Sequence, residues 1–318
     1  MPMKNSILTK SISYKDFKKE ILNDYRNIVI SREASLLGRK EVLSGKAKFG
    51  IFGDGKELPQ IAMAKVFDKG DFRSGYYRDQ TFMFAINKLT VKQFFSGLYA
   101  NTSFEEEPMS GGRQMGSHFS SIFVDNKGDF VDLTNQYNIS SDISPTSGQM
   151  PRLLGLAMAS KHFRSGKFNS NKLSNNGNEI AWGTIGNAST SEGLFFETVN
   201  AIGVHQVPAV ISIWDDDYGI SVDNSYQTTK SSISEALKGF QRTKTEKGFE
   251  ILTVNGWDYP SLISTYEHAN NIARNEHVPV IIHVTELTQP VGHSTSGSHE
   301  RYKSCLLYTS PSPRDKSS

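Results

Sequence analysis

An α/β fold, with a parallel central sheet and helices on both faces, follows from three features of one stretch. Residues 180–185 form a short apolar run with β-branched ends, and residues 209–214 form a second, as strands buried on both faces do. Between them Phe195, Phe196, Val199 and Ile202 recur at helical spacing, so the unit reads strand, turn, helix, strand, a right-handed βαβ crossover. Both strands end in polar, oxygen-rich clusters, Gly186-Asn187-Ala188-Ser189 and Asp215-Asp216-Asp217. In open parallel sheets the ligand sits beyond the carboxyl ends of the strands, so the two clusters should face one site. Oxygen ligands carrying few charges suit a magnesium ion that also holds a phosphate group.

The remaining elements follow in chain order. Residues 14–44 read as a long helix from the stripe Phe17, Ile21, Tyr25, Ile28 and Leu36, with Arg32 and Glu33 expected on its solvated face. Residues 49–56 are glycine-rich and contain a literal Gly53-Asp54-Gly55, read as a loop before a helix at 58–67 with Pro59 in its first turn. Helices are expected at 91–100 and at 152–163, the second introduced by the turn Ser144-Pro145-Thr146-Ser147-Gly148-Gln149-Met150-Pro151. The polar stretch 168–178 has no apolar period and reads as a surface loop. Helix 231–239, strand 249–254, helix 259–275 and strand 278–284 continue the alternation of a parallel sheet.

Composition narrows the class. The chain has 318 residues, 37% hydrophobic, with a formal net charge of +2, which suits a soluble α/β domain and gives no support for nucleic-acid binding. No apolar run reaches the roughly eighteen residues a membrane span needs, and the N-terminus lacks an apolar signal core. The last fourteen residues, 305–318, look like the in-frame translation of a sequencing adapter and index. They are expected to be non-native, leaving one domain over 1–304 that is cut short at its C-terminal end. The one cysteine, Cys305, falls in that tail, so the rest has none, in keeping with a reducing, cytoplasmic compartment.

The βαβ unit resembles the thiamine-diphosphate motif of the 2-oxoacid dehydrogenases, which reads G-D-G and, one helix later, N-N. Ser189-Thr190-Ser191-Glu192-Gly193, Tyr218-Gly219-Ile220-Ser221 and Gly112-Arg113-Gln114-Met115 with His118 resemble the alpha subunit of the branched-chain type more than the pyruvate type. Two residue types have exchanged places: Asn187 stands where the family has an acid, and Asp216 where it has the ligating Asn. Gly53-Asp54-Gly55 has neither a strand before it nor an Asn pair or acidic cluster after it at the right distance, so it is not that motif.

The resemblance implies a thiamine-diphosphate-binding fold and a set of site residues. Tyr77 and Arg78 would grip the diphosphate, since Arg offers forked donors and Tyr a hydroxyl; a buried structural Arg is the rival reading. Ser144 and Thr146 would meet the aminopyrimidine ring through backbone groups. Gly186, Asn187, Ala188, Ser189 and Asp216 would bind the cofactor, with Asn187, Asp216 and the Tyr218 carbonyl on magnesium. Asp215 and Asp217 should point elsewhere, because three carboxylates on one ion would repel the diphosphate. His293, in Gly292-His293-Ser294, would be the catalytic residue, and Ser294 sits where some members are phosphorylated. His118 has two readings, a substrate-facing side chain and a structural loop residue.

The implied activity is oxidative decarboxylation of a 2-oxoacid, branched-chain favoured, with acyl transfer to a lipoyl group; a pyruvate dehydrogenase alpha part or a non-catalytic subunit of the same fold are the alternatives. The implied partners are a beta subunit, or a beta half further along the same polypeptide, and the lipoyl acyltransferase component, in a heterotetramer or a dimer of fused chains. A beta-part Glu would activate the aminopyrimidine. A nucleotide-binding or hydrolase module is disfavoured because G-x-G-x-x-G, G-x-x-x-x-G-K-[ST] and G-x-S-x-G are all missing.

Overall fold

The computed structural model describes residues 13–295 and 302–303; the segment 305–318 lies outside them. Six parallel strands form one sheet in the order β2-β1-β3-β4-β8-β7. They are β1 (Phe72–Ser74), β2 (Asn138–Ile139), β3 (Ala181–Gly186), β4 (Ala209–Trp214), β7 (Glu250–Asn255) and β8 (Val280–Thr285). A two-stranded hairpin, β5 (Tyr218–Gly219) and β6 (Val222–Asp223), stands apart from it.

The central strands form because their sequences are apolar on both faces. Trp182, Val210, Trp214, Val280, Ile282 and Val284 face one core. The alternate residues Ala181, Ile185, Ala209, Ile211, Ile213 and Ile281 face the other. Helices α2 (Glu57–Val66), α3 (Gln80–Ala85) and α8 (Tyr259–Asn271) cover the first face, with α1 (Tyr14–Leu43) and α4 (Val91–Leu98) packed outside them. Helices α5 (Gln149–Arg164), α6 (Gly193–His205) and the single turn α7 (Ile233–Ala236) cover the second. Among the described residues no helix is long and apolar enough to cross a membrane.

Local chemistry fixes the helix ends. Ser13 caps α1 by accepting from the Asp16 amide at 3.1 Å. Thr90 and Gln93 close a reciprocal capping box on α4. Asp258 caps α8 by accepting from the Ser261 amide at 3.1 Å.

Several expected elements differ in detail. The helix expected at 231–239 shrinks to α7 and a following 3-10 turn, because Lys230 and Ser231 take φ of 63° and 51° and break the helix start. The helix expected at 259–275 ends as α8, and a π turn, Ile272–Glu276, follows it. Arg32 is not on a purely solvated face: its guanidinium forks onto the nearly buried Glu57 at 2.5 and 2.9 Å and ties α1 to α2.

Candidate active site

Register explains where a site forms. β3 and β4 run in step, with Gly186 opposite Trp214, and the Asn187 amide donates to the Trp214 carbonyl at 3.3 Å. β8 continues the alignment, and the Asp215 amide donates to the Val284 carbonyl at 2.9 Å. The chain therefore leaves the sheet at one level after β3, β4 and β8, while β1 ends lower, at Ser74 opposite Gly183. The loops that follow these strands, together with the loop that carries Lys56, enclose a cavity of about 350 Å³. This is the carboxyl edge of a parallel sheet, the usual position of a ligand.

Of the residues expected at the site, Tyr77, Arg78, Thr146, Gly186, Asn187, Ala188, Ser189, Asp216, Tyr218 and His293 line this one cavity. Ser144 does not. It lies exposed, and its hydroxyl is 3.0 Å from Nε2 of the buried His118. His118 stacks on Tyr77 with ring centroids 6.1 Å apart and lies outside the lining of this cavity. Its turn is tied to the site all the same, because the Ser147 hydroxyl donates to the Ser189 carbonyl at 2.6 Å.

Arg78 is buried, and both arms of its guanidinium end on carbonyls, Phe52 at 2.6 Å and His293 at 3.0 Å. These bonds lock the loop 286–295 to the loop 49–56. Carbonyls do not neutralise the charge, so it remains available to an anion. The imidazole of His293 is held far below its usual range, at about 3, first by burial and then by the Arg78 cation, and is therefore neutral. Tyr76 is nearly buried and its hydroxyl has no partner among the described residues, while Tyr77 is half-buried with Arg78 over its ring at 5.5 Å.

The three aspartates at the end of β4 diverge. Asp215 turns to the α5–α6 side, where its carboxylate meets His283 Nε2 at 2.9 Å and His283 Nδ1 meets the Ser234 hydroxyl at 2.9 Å. Asp217 is exposed, and its amide donates to Asp215 at 2.9 Å. Only Asp216 enters the cavity, and it does not stand alone there: Lys56 Nζ is 2.8 Å from its Oδ2. Lys56 also donates to Gln289 Oε1 at 3.0 Å.

Lys56 is the main residue that reading the sequence missed, together with Gln289, Lys303, Tyr76 and the rim residue Glu192. It ends the Gly53-Asp54-Gly55 loop, which the sequence reads as a loop before α2 and not as the cofactor motif. That loop is not a strand end, as expected, but Gly55 at φ +90° lets it press on the Thr288 carbonyl, which a Cβ would overlap. The loop thereby delivers Lys56 across 160 positions to Asp216. Lys303 joins Lys56 through Gln289, bonded to the Gln289 carbonyl at 2.7 Å and over the Tyr218 ring at 5.3 Å, and burial lowers its pKa to about 8.

Among the described residues the cavity thus holds three cations, Lys56, Arg78 and Lys303, against the half-buried Asp216 and the exposed Glu192. Such walls fit a diphosphate. The set Asn187, Asp216 and Tyr218 carbonyl does not fit a magnesium ion as folded. One oxygen of its single carboxylate is paired with the Lys56 ammonium, whose positive charge would repel a divalent cation beside it, and among the described residues the buried Asn187 side-chain nitrogen has no partner. Among the described residues no group of three His, Cys, Asp or Glu side chains gathers around a point, although the expected set has only one such side chain.

Comparison with known proteins agrees with the topology. The 2-oxoisovalerate dehydrogenase subunit alpha of Bacillus subtilis is 28% identical over 269 residues, which are 83% of this chain and 69% of that protein. A mitochondrial 2-oxoisovalerate dehydrogenase subunit alpha of Arabidopsis thaliana is 26% identical over 261 residues, 81% of this chain but 47% of the plant protein. The pyruvate dehydrogenase E1 component subunit alpha of Acholeplasma laidlawii is 25% identical over 281 residues, 88% of this chain and 67% of that protein. The chain thus spans about half the length of its plant relatives and two thirds or more of its bacterial ones. Residues 25–312 match the family described as the dehydrogenase E1 component, and on that match, nearly the length of the chain, it belongs to this family.

Proposed function

We propose that this chain is the alpha part of a thiamine-diphosphate-dependent 2-oxoacid dehydrogenase, with a branched-chain substrate favoured over pyruvate. The observation that carries the reading is one cavity at the ends of four parallel strands, walled by Arg78, Lys56 and Lys303 and by His293. The substrate preference is supported by the 2-oxoisovalerate relatives.

When bound, thiamine diphosphate supplies the nucleophile and the electron sink that let a 2-oxoacid lose carbon dioxide. The residues of this chain hold and orient it. Arg78, Lys56 and Lys303 bind the diphosphate, and the Asn187 amide NH₂ adds a neutral donor. The 144–148 turn presents backbone groups near Thr146. His293, neutral beside Arg78, can give or take one hydrogen bond at the reacting end. A magnesium ion on Asn187, Asp216 and the Tyr218 carbonyl would lie beside the Lys56 ammonium, which already pairs with one oxygen of Asp216.

A beta part, supplying the carboxylic acid for the aminopyrimidine, a lipoyl acyltransferase component and a cytoplasmic location complete the proposal. The proposed organisation is one domain over 1–304 followed by a non-native tail, although the family match reaches residue 312.

Calorimetry tests the reading. Thiamine diphosphate should bind the full chain, and thiamine, which lacks the phosphates, should bind far more weakly. Equal affinity for the two, or none for either, would favour a non-catalytic subunit of the same fold.

A further inference from the structure

The buried ion pair in the cavity asks for an account of its own. The Lys56 side chain is 3% exposed and the Asp216 side chain 9%. A lysine is desolvated only at considerable cost unless it is paired and hydrogen-bonded, so burying this one is a committed arrangement. Gly55 and the Thr288 carbonyl fix the approach of its loop, and Gln289 accepts its second N–H. An ammonium has three donors. Asp216 and Gln289 take two, and the side chain lines the cavity in which the third can be used.

Asp216 on its own would be a bare carboxylate facing an anionic ligand. With Lys56 attached, the pair is neutral and still offers an N–H to a phosphate oxygen. That is the task a divalent cation performs when it bridges protein oxygens and phosphate oxygens.

Resting on the diphosphate reading of the cavity, we infer that the Lys56 ammonium is the built-in counter-cation of this site. It bridges Asp216 and the diphosphate, so the ligand binds without a divalent metal. Arg78 and Lys303, which line the same cavity, supply the remaining positive charge.

The test is calorimetric titration of the full chain with thiamine diphosphate and, separately, with inorganic pyrophosphate, once in excess EDTA and once in magnesium. The wild-type chain should bind both probes in EDTA, with a Kd within about tenfold of the magnesium value, a difference of about 1.4 kcal/mol or less. Lys56→Met should lose binding in EDTA by more than that. Because that variant leaves Asp216 buried and unpaired, the double variant Lys56→Met with Asp216→Asn, which removes both charges, provides a second measurement on a chain without a stranded ion. It too should bind more weakly in EDTA than the wild type.

Binding by the wild-type chain only in magnesium would overturn the inference and leave the diphosphate reading standing. So would a double variant that binds in EDTA as tightly as the wild type. No binding in either buffer would overturn the diphosphate reading, and the inference with it.

Discussion

His293 does two jobs with two parts of one residue. Its main-chain carbonyl accepts from Arg78 at 3.0 Å, which fixes the loop, while its imidazole lines the cavity in a neutral state. Truncating the side chain leaves the loop's anchor in place. His293→Ala, assayed with the beta part present, should therefore bind thiamine diphosphate much as the wild type does. Its turnover should fall by about two orders of magnitude, the usual scale for losing a positioned proton-transfer or charge-stabilising group. Unchanged turnover would make His293 a wall residue only. At this scale the sequence was legible wherever a residue sits in a motif at a strand end, as Asn187, Asp216 and His293 do. Lys56 was not legible, because its meaning comes from a partner 160 positions away. No local pattern encodes a contact of that range, and the glycine that makes it possible looks like ordinary loop composition.

Elements of the sheet were legible in proportion to their length and burial. β3, β4 and β8 stand out as apolar runs because both their faces are covered. β1 and β2, of three and two residues, and the β5–β6 hairpin are too short to show a period, so they escape. The order of strands rests on tertiary contacts and was not legible either. The end of the α8 region offers a test of its own. His277 closes the π turn with φ of 58°, is half-buried, and among the described residues has no hydrogen-bond partner at Nε2. Burial first, then the nearby Arg164 and Lys161, lowers its pKa from 6.5 to about 4. The unfolded chain therefore binds more protons than the folded one in that interval, and stability is lost as pH falls from 6.5 towards about 4. His277→Asn keeps a side chain that tolerates the left-handed region and removes the titration. Thermal melts across this interval should show a shallower loss of melting temperature for the variant than for the wild type. Parallel curves would mean that the wild-type loss comes from other groups.

For the whole molecule, the question is what the cavity lacks. Its carboxylates among the described residues are Asp216, committed to Lys56, and Glu192, exposed at the rim. Neither is a buried acid free to exchange a proton with a ligand's ring, and in the resembled family that acid comes from the beta part. The surface points the same way: α1 leaves Tyr14, Phe17, Leu22, Tyr25 and Leu43 exposed, which is much apolar area for one helix facing water. On the proposed function, holding the cofactor and activating it are separable tasks, and this chain would perform the first. Expressed alone, it should bind thiamine diphosphate yet release no carbon dioxide from 2-oxoisovalerate or pyruvate above background. Supplying a beta part, as a separate subunit or fused downstream, should restore release, and more strongly with the branched-chain acid. Carbon dioxide release measured on both acids, with and without the beta part, checks this. Robust turnover by the chain alone would show that Glu192 or another of its own acids completes the site, and the division of labour argued here would be wrong.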